Sequence, residues 1–294
     1  MHESLIKPYL AHHFGIAEAD IVIVERLKGG MSNSNYIVLV QGRKYTIRIP
    51  GKNAFAFVDR DVETNNLALI RPLGIDGDAL VRLDPSTGYK ISRYLEGAPL
   101  SAFDPSLFYP KVASLLHQLH DSSLLAQNDY DPFARLSKYE ALVESKGLTQ
   151  ESAYYESRAR LFQHKALLQA LPKKLCHNDA QTSNYIVCDN GTLVLVDWEF
   201  GGNNDPLYDV ACYGNNDFQY AVGLLPHYLG RNPTNEEWDR IYLWRVFQCL
   251  QWHNVALYKE AIGLSSELGV DFQMIAHRYI QKADDLYRTM LKRQ

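Results

Sequence analysis

In its first third the chain alternates apolar and polar side chains in short runs bounded by Gly, Asn and Pro. "DIVIVERL" (20–27), "NYIVLVQ" (35–41) and "RKYTIRIPG" (43–51) have the period-two pattern and β-branched content of strands, the last two joined across Gln41-Gly42. "DVETNNLALIRPL" (61–73) changes to helical spacing and stops at Pro-Leu-Gly. Two further strands, "DALVRL" (78–83) and "GYKISRYL" (88–95), complete a small antiparallel sheet with one helix against it. The preceding "MHESLIKPYLAHHFG" reads as an amphipathic helix interrupted by charge.

After "EGAPLS" the period changes to that of helices, in "PSLFYPKVASLLHQLHDS" (105–122) and in much of 149–171. A hairpin, "NYIVCDNGTLVLVDW" (184–198), interrupts them around an Asp-Asn-Gly turn. Beyond Pro206 the pattern is helical nearly to the end, broken near "GRNPTNEE" and "GLSSELGVD". These patterns predict a β-rich N-terminal lobe over 1–97, a hinge near 93–97, and a mainly helical lobe over 98–294. A cleft between two such lobes is a natural ligand site.

Composition narrows the function. The 294 residues are 46% hydrophobic, enough for a sizeable core, and the formal net charge of −4 disfavours a nucleic-acid partner. There is no polybasic run, no signal-peptide pattern and no apolar stretch of membrane-spanning length, so a cytoplasmic protein without membrane insertion is expected. The four cysteines form no C-x-x-C pair and read as free structural thiols of a reducing compartment.

The chemistry concentrates between Leu175 and Phe200. His177-x-Asp179 is followed five residues later by Asn184, and Asp197 closes the hairpin. Phosphoryl transfer from ATP needs such a set: one carboxylate for the attacking hydroxyl, an amide oxygen and a second carboxylate for Mg²⁺. Taken singly, each would more often cap a turn. His177 is expected to brace the loop. Upstream, "LKGGMSNSNY" joins the first two strands, and its Gly29, Gly30, Ser32, Asn33 and Ser34 suit phosphate oxygens without forming a P-loop. Arg48 stands where a kinase strand places its phosphate-gripping cation, on what reads as an otherwise apolar face, and Glu63 on the next helix is its candidate partner.

Together "GGMSNSNY", "YTIRIPG", "CHNDAQTSN" and "DWEFGGNNDPLYDVA" resemble the choline/ethanolamine kinase family, within the aminoglycoside-phosphotransferase-like, protein-kinase-like fold. The resemblance implies an α+β two-lobed architecture and an ATP- and Mg²⁺-dependent kinase of a small-molecule alcohol, choline first and ethanolamine second. It implies that Asp179 is the base, Asn184 and Asp197 the Mg²⁺ ligands, and Arg48 with Glu63 the phosphate grip. Arg93, Tyr94 and Leu95 would offer the adenine hinge, and Gln181 and Glu199 would lie beside the acceptor.

A choline site needs carboxylates and aromatic faces. Trp252 is the best cage candidate, with Trp244 eight residues earlier and Tyr213 and Phe200 near the metal residues; Tyr258 falls on another face. Val255 stands where a second cage Trp is expected, and Asn216 where an acidic residue is, with Asp217 in position to compensate. Thiamine, an aminoglycoside or a sugar remain open as acceptors. A nucleotide-binding pseudokinase or a metal-dependent hydrolase remain open as other functions. Oligomeric state is not legible.

Overall fold

The computed structural model describes residues 3–27 and 33–293. Helix α1 (Glu3–Phe14) precedes strands β1 (Ile21–Arg26), β2 (Asn33–Val40) and β3 (Arg43–Pro50), then helix α2 (Arg60–Ile70), β4 (Leu80–Leu83), β5 (Lys90–Arg93) and β6 (Gly97–Pro99). Helices α3 (Tyr109–His120), α4 (Pro132–Glu144), α5 (Ser152–Gln163) and α6 (Lys165–Gln169) lead to β7 (Lys174–Cys176), β8 (Tyr185–Cys188), β9 (Leu193–Leu195) and β10 (Gly202–Asn204). The chain ends with α7 (Leu207–Tyr213), α8 (Phe218–Leu229), α9 (Asn235–Ala261), α10 (Leu264–Leu268) and α11 (Phe272–Leu291).

Two compact units result, one of 1–98 with 186–200 and one of 99–185 with 201–294. Most of the β8–β9 hairpin, which a division at 97 and 98 places in the helical lobe, falls in the first of these units.

The N-terminal unit is built on an antiparallel sheet of order β1-β2-β3-β5-β4. Ile21, Val38, Ile47, Ile49 and Ile91 form its core with Ile6 and Leu10 of α1, so the interrupted apolar stripe of the first helix is a sheet-packing face. Because side chains alternate across a strand, Arg48 stands on the face opposite Ile47 and Ile49. It shares that face with Thr46 and Pro50, which corrects the expectation of an otherwise apolar setting. Asp59 caps α2 by accepting the Asp61 and Val62 N–H groups at 3.0 and 3.2 Å, and the helix then turns Glu63 inward.

The hairpin turn is closed by the Cys188 N–H donating to the Thr192 carbonyl at 2.9 Å, with Gly191 left-handed at φ 82°. β6 lies beside β8, and a Cβ on Gly97 would collide with the Val187 carbonyl.

In the helical unit α9 is 27 residues long and opens with a capping box between Thr234 and Glu237. From Ile241 to Lys259 nearly every side chain is buried, so this stretch of the helix has no solvent face and serves as the unit's axis. The sequence pattern predicts helices here but not β7 and β10, which are three residues each and carry too few positions for a period. Their pairing, Cys176 with Gly202 and Asn204 with Lys174, frames the polar loop that follows β7. All four cysteines are unpaired, and among the described residues no helix is long and apolar enough to cross a membrane.

Candidate active site

In the helical unit, the segment from His177 to Asn184 is held from beneath by one carboxylate. Asp209 of α7, fully buried, accepts the N–H of His177 at 2.8 Å and that of Asn178 at 2.7 Å. His120 of α3 lies 3.0 Å from the same carboxylate, and its other ring nitrogen is 2.9 Å from the Tyr228 hydroxyl. Asn178 turns the chain through a left-handed conformation, φ 63°, tolerable for Asn because its amide donates to the Gly202 carbonyl and its oxygen accepts from Asn204. His177 braces the loop as expected: its Nδ1 accepts the Asp179 N–H at 3.2 Å.

Asp179 emerges from this frame half-buried, with its carboxylate oriented by two amides. Asn184 Nδ2 donates to Oδ2 at 3.0 Å and to the Asp179 carbonyl at 2.8 Å; Gln181 Nε2 donates to Oδ2 at 3.2 Å. Gln181 is thus bonded to Asp179 and, through its oxygen, to the Asn215 amide. With its nitrogen spent on Asp179, Asn184 keeps a hard carbonyl oxygen of the kind Mg²⁺ takes.

In the N-terminal unit, Arg48 forms a two-pronged ion pair with Glu63, Nη1–Oε1 and Nη2–Oε2 both 2.7 Å, with Arg48 4% exposed and Glu63 0%. Arg60 donates to Glu63 at 2.6 Å and to Glu199 at 3.0 Å, and Lys90 reaches Glu63 at 3.2 Å. Burial alone would raise the Glu63 pKa, but Lys90, Arg48 and Arg60 outweigh it and hold the carboxyl well below the usual range. Glu199 goes the other way: burial and then the neighbouring Asp197 push its pKa up. Asp197, at φ 68°, is the exposed member of the group, and its Oδ1 is 3.4 Å from Arg48 Nη1. A partly exposed carboxylate with only long contacts to cations fits a divalent-metal ligand.

Several predicted contacts belong elsewhere. Glu199, expected beside the acceptor, is fixed in the Arg48–Arg60 cluster and accepts from Asn33 Nδ2 at 3.1 Å. Tyr213 is a core residue, its hydroxyl donating to the Pro105 carbonyl at 2.8 Å and its ring packed on Tyr109 and Tyr185. Asp217 is spent capping α8, accepting the Gln219 N–H at 2.9 Å. Trp244 is core, donating to Asp205 at 2.6 Å, and Tyr258 and Val255 are buried as well. Trp252 lines a pocket with Asp179, Asn178, Asn215, Arg245 and Gln248.

Among the nucleotide residues, Ser34 accepts from Arg26 at 3.2 Å, while Gly29, Gly30 and Ser32 lie outside the described residues. Arg93 pairs with Asp78 at 2.9 Å, the Tyr94 N–H donates to the Lys44 carbonyl at 3.3 Å, and the Leu95 side chain sits over Gly77.

Sequence reading missed Asp209, His120, Arg60, Lys90 and Arg245. Arg60 had a signal, three residues before Glu63 on one helix face. Lys90 had none until the register placed it directly opposite Arg48.

The profile of the phosphotransferase enzyme family matches residues 23–244, and the chain belongs to that family. It is similar to the protein LicA of Haemophilus influenzae, 30% identical over 193 residues that make up 62% of this chain and 55% of that protein. The chain thus spans little more than half of that relative. Its fold matches the choline kinase LicA from Streptococcus pneumoniae with a TM-score of 0.79 at 26% identity, over 98% of this chain and 99% of that one. A choline/ethanolamine kinase family protein from Mesorhizobium loti shares the fold with a TM-score of 0.77 at 23% identity, over 97% and 95% of the two chains. The α+β protein-kinase-like fold expected from the sequence is the fold these structures share.

Proposed function

We propose that this chain is an ATP-dependent kinase that transfers the γ-phosphate to the hydroxyl of a small amino alcohol of the choline and ethanolamine class. The observation that carries the reading is Asp179, oriented by Asn184 and Gln181 on a loop anchored through Asp209. Asp179 accepts the proton as the acceptor oxygen attacks the γ-phosphorus. Arg48, kept in place by Glu63, faces the phosphates, with Asn33 and Ser34 at the end of the Gly-containing loop and the 93–95 backbone at the adenine. Asn184 and Asp197 would hold Mg²⁺, which when bound offsets the charge of the phosphates. The amino alcohol class is supported by the likeness to the choline kinase LicA from Streptococcus pneumoniae and by Trp252, a partly exposed aromatic in the Asp179 pocket.

The test is ADP release from Mg·ATP with choline, ethanolamine, thiamine, a sugar and an aminoglycoside. Asp179→Asn is expected to retain folding and ATP binding and to lose turnover by about 10²- to 10⁴-fold. Near-normal turnover of the variant would discard the assigned base. ATP binding without turnover of any acceptor by the unaltered protein would favour a nucleotide-binding pseudokinase.

A further inference from the structure

The pocket beside Asp179 has an unexpected composition for a cationic substrate. Asp179 is the sole carboxylate among its lining residues, and the other charged one is Arg245 of α9, 1% exposed. Its Nη1 donates to Gln248 Oε1 at 2.9 Å and its Nη2 to the Asn215 carbonyl at 3.0 Å, both neutral acceptors. Gln248 is committed to this duty, because its amide nitrogen donates to the Tyr208 carbonyl and to Cys212 Sγ. Among the described residues no carboxylate lies within ion-pair distance of Arg245, and its Nε has no partner.

A second cation adds to the field. Lys282 of α11 donates to the same Asn215 carbonyl at 2.8 Å, and burial, then Arg245, push its pKa down to about 8. Arg48 also has an unpartnered Nε, yet that guanidinium is neutralised by Glu63. Arg245 is not. An uncompensated buried cation is costly, and an anionic group brought by a ligand would offset that cost. A permanent cation entering the same pocket would meet a like charge. Of the lining amides, Asn178 and Gln248 are engaged within the protein, whereas the Asn215 side-chain oxygen has no partner and can accept from a ligand's ammonium or hydroxyl.

We propose that the acceptor alcohol also carries a carboxylate, as a hydroxy amino acid does, and that Arg245 binds that carboxylate. This rests on the phosphoryl-transfer reading above and departs from its choline and ethanolamine acceptors toward an amino alcohol that also bears a carboxylate. The experiment is ADP release from Mg·ATP with L-serine, L-homoserine, ethanolamine and choline, for the unaltered protein, Arg245→Met and Arg245→Lys. We expect one of the hydroxy amino acids to have the highest kcat/KM. Arg245→Met should raise its KM roughly 10- to 100-fold with little change in kcat, Arg245→Lys should recover part of the loss, and the KM for ethanolamine should fall or stay level, not rise.

Choline or ethanolamine as the better substrate, with KM values indifferent to Arg245→Met, would overturn the inference and leave the kinase intact. Should Arg245→Met fail to fold, titration of the unaltered protein followed by Trp252 fluorescence, with Trp252→Phe as reference, decides. Saturation by L-homoserine but not choline supports the proposal, and the reverse refutes it. Failure of the kinase reading shows separately, as ADP release that is absent or unaffected by Asp179→Asn.

Discussion

Arg48 and Arg245 are equally buried arginines with opposite surroundings. Arg48 is gripped at both Nη atoms by Glu63, with Glu199 and Asp197 at 3.5 and 3.4 Å. Arg245 meets only an amide oxygen and a backbone carbonyl. The first charge is settled inside its own unit by strand register and one helix turn. The second is solvated by dipoles and left with its charge unmatched. A structural ion pair and a ligand-seeking cation can therefore share residue type and burial; the partner set is what separates them.

The comparison is broken most severely by removing each cation in turn. Arg48→Met removes the two-pronged partner of buried Glu63 and leaves it to Arg60 and Lys90, and urea denaturation should register a loss of about 3 kcal/mol, the low end of the usual cost of breaking a buried pair. Arg245→Met leaves only two neutral acceptors short of a donor, and the same measurement should give about 1–3 kcal/mol. Equal losses would show that Arg245 has a charge partner after all.

Acid sharpens the difference next. The folded pKa of Glu63 lies below its unfolded value, so its contribution is present above roughly pH 4.5 and is lost as pH falls through the folded pKa. Glu199 has the opposite sign, because its folded pKa is raised, and its protonation favours the folded state. Stability followed by chemical denaturation between pH 6 and 3 should fall less steeply in Glu63→Gln than in the unaltered protein, and more steeply in Glu199→Gln.

The smallest effect is alkaline. The folded pKa of Lys282, about 8, lies below the ordinary lysine value of 10.5, so the unfolded chain binds more protons between those values and stability from this group rises with pH across that window. Lys282→Met should lack that rise. An identical slope in both proteins would place the Lys282 ammonium in solvent.

Much of the fold follows from local pattern. The five strands of the N-terminal sheet, the helix bearing Glu63 and the hairpin around Asp189-Asn190-Gly191 are legible because period-two apolar runs and turn residues act over a few positions. Strands β6, β7 and β10 have three residues each and, unlike the equally short β9, no hairpin turn beside them to mark them, so the local pattern does not predict them.

The candidate site divides in the same way. Spacing alone singled out Asp179, Asn184 and Asp197, and the order of strand cation and helix carboxylate paired Arg48 with Glu63, because those relations are local or carried by adjacent elements. Asp217 is adjacent to the expected acceptor contact, yet it became a helix cap, and Tyr213 packed into the core; a residue's burial depends on elements far away in sequence. For the same reason His120, 89 residues from Asp209, could be recognised as part of the loop anchor only in the folded chain. The sequence by itself determined much of the strand and helix pattern and singled out the loop that carries the candidate base. Tertiary structure decided which carboxylate neutralises which cation, and that Arg245 is left beside Asp179 with none, because electrostatic partnership is a matter of distance in space.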